Sequence, residues 1–130
     1  MQGVNPVGWF EIYVQDMDRA QKFYETVFGI SMINMLDPSS EGVTMRSFSD
    51  GENSMNQTGA TGALVHMEGF ESGGNSTIVY FVAEDCSVEE SRVASSGGSV
   101  FKSKFSIGEH GFISLCTDTE GNMFGIHSMA

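Results

Sequence analysis

Trp9-Phe10-Glu11-Ile12-Tyr13-Val14-Gln15-Asp16-Met17 decides the fold, because it reads as a strand running directly into a capped helix. Val7 to Val14 alternates and is rich in aromatic and β-branched residues, the pattern of a strand with two unlike faces. Gly8, Phe10, Ile12 and Val14 share one face, suited to packing under a helix. Val7, Trp9, Glu11 and Tyr13 share the other, which sets one carboxylate among large side chains. Asp16 is a helix N-cap, and Met17, Ala20, Phe23, Tyr24, Val27 and Phe28 follow as one apolar stripe. Gly29 is the expected stop.

Working outward, Ile30 to Leu36 and Val43 to Phe48 read as strands around a Pro38-Ser39-Ser40 turn. Ser49 to Gly62 reads as a polar loop, Ala63 to Met67 as a strand, and Glu68 to Ser76 as a glycine-containing linker. The plan then recurs. Thr77 to Val82 is a strand, and Ser87 with Glu90 has capping-box spacing ahead of a short helix reaching about Ser95. Gly97-Gly98 ends it, and Ser99 to Ser103, Phe112 to Cys116 and Met123 to His127 are strands. At an offset of 68, Val14 answers Val82, Gly29 answers Gly97, Asp50 answers Asp118 and Glu52 answers Glu120. The expectation is one α+β domain over 1–130, made of tandem βαβββ modules at 1–68 and 75–130, curved around a central cavity.

Composition narrows the function. The 130 residues suffice for one real core. A net charge of −11, from 17 acidic and 6 scattered basic residues, repels phosphate backbones and anionic lipid. Neither nucleic acid nor a membrane is therefore expected as a partner, and no apolar run is long enough to span a bilayer. The opening Met-Gln-Gly-Val-Asn-Pro lacks the pattern of a signal peptide. Cys86 and Cys116 make neither a disulfide framework nor a metal motif. A cytoplasmic setting is the expectation.

Three segments together carry a resemblance. They are Trp9 to Met17 with Ala20, Phe23-Tyr24 and Gly29; Ile78-Val79-Tyr80-Phe81-Val82 through Gly97-Gly98; and Asp118-Thr119-Glu120-Gly121-Asn122 followed by Phe124-Gly125-Ile126-His127. In this order the chain resembles the vicinal oxygen chelate superfamily of glyoxalase I, bleomycin-resistance proteins and extradiol dioxygenases. The resemblance implies paired βαβββ modules around a U-shaped cavity, commonly completed by a homodimer. Family enzymes often hold one divalent metal there, through a His or Gln on the first strand and a Glu on the last strand of each half. The first-strand places fall on Trp9 and, by the offset, Thr77. One last-strand place falls on Gly125, and the other lies within Ala63 to Met67, where the facing of His66 is open. Divalent metals need several converging N or O donors. The expectation is thus a branch with no metal cofactor, which puts glyoxalase chemistry in doubt.

Glu11 is the leading catalytic candidate: a carboxylate desolvated among aromatics would have a raised pKa and suit a general base, or it is a structural hydrogen-bond acceptor. His127 shares the face of Gly125 and is the second catalytic candidate, against a plain strand end. Trp9, Tyr13, His66, Thr77, Phe81, Met123 and Gly125 are candidate ligand-binding residues. Trp9, Tyr13 and Phe81 are expected on one face, and Gly125 is expected to pack against Trp9. A rearranged metal site from Glu11, His66 and His127 has no supporting spacing. His110 reads as a loop residue, Cys116 as an unactivated thiol, and the methionines, Met32, Met35, Met45, Met55, Met67 and Met123 among them, as gap fillers or pocket lining. The 118–122 turn reads as turn chemistry. Two functions stand side by side: binding of a small molecule in a hydrophobic cleft, or a lyase or isomerase using Glu11 as base or a rearranged metal site.

Overall fold

The computed structural model describes residues 7, 9–35, 42–49, 59–75 and 77–130. The chain builds β1 (Trp9–Tyr13), α1 (Met17–Phe28), β2 (Ile33–Asn34), β3 (Val43–Ser47) and β4 (Thr61–Met67), then β5 (Val79–Val82), α2 (Cys86–Glu90), β6 (Ser99–Ser106), β7 (Phe112–Thr117) and β8 (Met123–Ser128). The two four-stranded mixed sheets run β1-β4-β3-β2 and β5-β8-β7-β6. β1 is parallel to β4 and β5 to β8; the other pairs are antiparallel. This is the expected pair of βαβββ modules.

α1 forms where its stripe predicts. The Asp16 carboxylate accepts from the Arg19 N–H at 3.1 Å, and Gly29 closes the helix in the left-handed region at φ 66°. Its stripe covers one face of the first sheet and also reaches the second module, where Phe23 meets Phe124 edge-on at 5.9 Å. One contiguous core therefore joins Ile12, Val14, Phe23, Tyr24, Val27 and Leu64 to Cys86, Val93, Cys116, Phe124 and Ile126.

Several boundaries differ. β4 starts at Thr61, inside the segment read as loop, because Gly62 pairs with Phe10. A Cβ on Gly62 would run into the Phe10 carbonyl and ring, so glycine marks close approach here and not a turn. Within the reading of Ile30 to Leu36, regular pairing covers only Ile33–Asn34 among the described residues. β6 continues to Ser106 through two register shifts.

The second helix is five residues, followed by a 3-10 turn at Ala94–Ser96. Its N-cap is Asp85, which accepts from the Ser87 N–H at 3.0 Å, and not Ser87. Glu90, read as the capping-box partner, instead accepts from the Lys104 N–H and the Ser114 hydroxyl, both at 2.7 Å. It staples α2 to β6 and β7.

Asp16 and Asp85 stand 69 residues apart. The β1–β4 and β5–β8 ladders give the same offset, since Val14 N–H bonds the Val65 carbonyl as Ala83 N–H bonds that of His127. The offset of 68 is one residue short on these strands. Phe81 therefore matches Ile12 and lies in the core, ringed by Phe10, Tyr24, Phe28, Phe48 and Phe124. The expectation that it shares a face with Trp9 and Tyr13 is wrong. Tyr80 and Val82 take that place.

Candidate functional site

A cavity of about 300 Å³ opens between the modules. β1 contributes Glu11, Ile12 and Tyr13, α1 contributes Tyr24, and the linker contributes Gly73, Gly74 and Asn75. Thr77, Val79, Asn122, Met123 and Phe124 complete it from the second module. Four candidates, Glu11, Tyr13, Thr77 and Met123, thus meet in one space.

Glu11 is exposed, which removes the desolvation expected of it. Its neighbours on the same face orient it: the Trp9 indole Nε1 donates at 3.2 Å and the Tyr13 hydroxyl at 2.9 Å, one to each oxygen. The bond to Glu11 raises the Tyr13 pKa, with burial and the carboxylate charge adding to it, so this phenol stays a donor. Tyr13 also stacks on Phe70 at 5.4 Å. Among the described residues, Glu11 has no ion-pair partner.

The other candidates lie elsewhere. His66 pairs with Thr44 beside Arg46, whose guanidinium reaches Gln21 of α1, so His66 faces the helix side. Its Nδ1 is 2.9 Å from the Val14 carbonyl oxygen. His127 shares the face of Gly125, but its Nε2 is taken up 2.7 Å from the His110 carbonyl oxygen. His110 itself is exposed in a 3-10 turn. Gly125 packs against the Tyr80 ring, not against Trp9. Among the methionines, Met32 is core and Met123 lines the cavity; Met55 lies outside the described residues. Cys116 is buried, and burial raises its pKa, as suits an inert thiol.

The register also tests the metal. With Asp16 matched to Asp85, the counterpart of Trp9 is Ile78 and not Thr77. Glu11 pairs with Ala63 as Tyr80 pairs with Gly125, so Ala63 matches Gly125. Trp9, Ile78, Ala63 and Gly125 offer no donor to a divalent ion. Glu11, His66 and His127 do not converge, and no group of three His, Cys, Asp or Glu is placed to hold a metal among the described residues. The described residues do not fit the family's metal.

A buried polar hub stands where the sequence presents a simple turn. Asp118, Glu120 and Asn122 are buried at the module junction. Glu120 accepts from the Gln15 and Asp16 N–H groups, both at 2.9 Å, from Arg19 Nε at 2.7 Å and from the Thr119 hydroxyl at 2.7 Å. Burial pushes its carboxyl up, but Arg19 and these donors outweigh it and hold the pKa at about 2. Asp118 accepts from the Tyr24 hydroxyl at 2.7 Å, and there burial prevails and raises the pKa. The signal that could have found this hub was Arg19, a basic residue in the first turn of α1, where the helix dipole disfavours a cation unless a carboxylate faces it. Asp50 and Glu52, its expected partners in the repeat, lie outside the described residues.

Residues 7–46 match the family described as bleomycin resistance protein-like N-terminal. Among solved structures, glyoxalase I from Zea mays superposes with a TM-score of 0.73 at 20% identity, over 94% of this chain and 44% of that one. The chain thus spans less than half of the maize enzyme. A glyoxalase/bleomycin resistance protein from Albidiferax ferrireducens T118 gives 0.64 at 17%, over 94% of this chain and 98% of that one. A domain of the same description from Frankia sp. EAN1pec gives 0.68 at 13%, over 97% and 98%. No curated protein matches the sequence. With its two βαβββ modules and its N-terminal match, the chain has the fold of the glyoxalase/bleomycin resistance proteins.

Proposed function

We propose that the chain binds a small organic cation in the cavity between its modules, without the metal used by family enzymes. The observation that carries this reading is Glu11: an exposed, doubly oriented carboxylate in a cavity with no basic residue among the described residues of its lining. Each carboxylate oxygen accepts one hydrogen bond here and keeps acceptor capacity for an ammonium group. Tyr13, Val79 and Met123 supply surface for an apolar body, and about 300 Å³ is at the small end for a ligand pocket. The net charge of −11 favours approach of cations and opposes anions.

The test is titration with benzylammonium, benzyl alcohol and benzoate at neutral pH. The cation should bind best and benzoate worst. Glu11→Gln should weaken the cation about tenfold and leave benzyl alcohol unchanged. Equal binding of all three would sink the assignment.

A second reading keeps Glu11 as the base of a lyase or isomerase, favoured by that same spare acceptor capacity. Glu11→Gln would then abolish turnover and not merely weaken binding. We also assign a second copy of the chain to the exposed row Ile78, Tyr80 and Val82. Sedimentation should give a dimer, and Val82→Glu should give a monomer.

A further inference from the structure

We propose that Asn122 is the positioning residue of the cavity, a strut that fixes the distance between its two walls. The role rests on reading the cavity as a ligand pocket. The Asn122 amide touches both walls at once. Its Nδ2 donates to the Tyr13 carbonyl at 2.9 Å, and its Oδ1 accepts from the Gly73 N–H at 2.7 Å. Tyr13 and Gly73 line the cavity on β1 and on the linker.

The strut is itself held from behind. Asp118 accepts from the Asn122 backbone N–H at 2.8 Å and from its Nδ2 at 3.2 Å. Glu120 ties the same turn to the start of α1, and its carbonyl accepts from the Ser72 hydroxyl at 2.6 Å. Asn75 continues the attachment, accepting from the Met123 N–H at 3.1 Å. The linker is therefore a cavity wall pinned to the second module, while β1 carries Glu11 and Tyr13 from the first. An amide suits the position because it donates to one wall and accepts from the other; a carboxylate or an alkyl group cannot do both.

Three variants separate positioning from simple stability. Asn122→Leu removes both links, and Asn122→Asp keeps only the acceptor for Gly73. Ser114→Ala removes a part-buried bond to Glu90, neither residue lining the cavity, and controls for global destabilisation. Affinity for the neutral benzyl alcohol, which a new carboxylate in the lining does not raise, should fall about tenfold in both Asn122 variants and stay within about twofold of wild type in Ser114→Ala. Amide exchange, measured with no ligand, should speed up at Gly73 in Asn122→Leu but not in Asn122→Asp or Ser114→Ala. Slow Gly73 exchange in Asn122→Leu, or unchanged affinity in both Asn122 variants, overturns the role. If wild type binds neither benzylammonium nor benzyl alcohol, the pocket reading fails, and the positioning role falls with it; a failed strut with an intact pocket is seen as unchanged affinity.

Discussion

Gly62 and Gly125 hold equivalent-looking places, each beside an aromatic residue of the neighbouring parallel strand. In the first module Gly62 lies against Phe10 on the face that α1 covers. In the second, Gly125 lies against Tyr80 on the opposite face, where the tyrosine is half-exposed. The helices diverge as well. α1 is twelve residues with a full apolar stripe, whereas α2 is five, and Glu90 fastens it to the sheet. The two halves share a path through space but not a residue-by-residue assignment. An internal repeat is thus reliable for strand order and connection, and unreliable for deciding which side chain enters a cavity.

The strongest way to break this comparison is at the junction, where the halves are least alike. Glu120→Gln should cost about 3 kcal/mol in a urea melt, because Arg19 and two backbone N–H groups lose a buried carboxylate. The pH dependence should change with it. Glu120 has a folded pKa of about 2 against an ordinary 4.5, so its contribution is full above pH 4.5 and fades as pH falls towards 2. Asp118, with its raised pKa, has the opposite sign, and Asp85, held at about 2 first by Lys104, shares the acid-side loss. The difference between wild type and Glu120→Gln isolates the Glu120 share; parallel acid titrations of the two would contradict it.

The glycine pair gives the next effect. Gly62→Ala drives a methyl into a backbone carbonyl and the Phe10 ring, which cannot both move, and should cost about 2 kcal/mol. Gly125→Ala meets first the half-exposed Tyr80 ring, which can swing away, so less than about 1 kcal/mol is expected. Equal thermal shifts would mean that the faces are not different in kind. The smallest effect tests the helix starts: Asp85→Ala should cost about 1 kcal/mol and Ser87→Ala a fraction of it. The reverse order would restore Ser87 as the cap.

Much of the architecture was legible in the sequence. Alternation in β1 sorts Glu11 from Ile12, and the α1 stripe names the residues that pack. The register of the second module was not, because a one-residue error in the repeat flips every side chain to the other face. That error put Phe81 in the cleft and Thr77 in a ligand position. The buried turn was missed for a different reason. Asp, Glu and Asn before a strand have the composition of a solvated turn, and only the approach of Arg19, Tyr24 and Tyr13 from the other module makes it an interior. The candidate site was half legible: β1 gave Glu11 and Tyr13, while the linker wall has no local sequence signal.

Trp9 is the sole tryptophan of the chain, and its indole N–H rests on the carboxylate that lines the cavity. The protein therefore carries its own optical gauge. Any molecule that draws the Glu11 charge towards itself alters the hydrogen bond of the one indole, so the emission spectrum reads occupancy without a label.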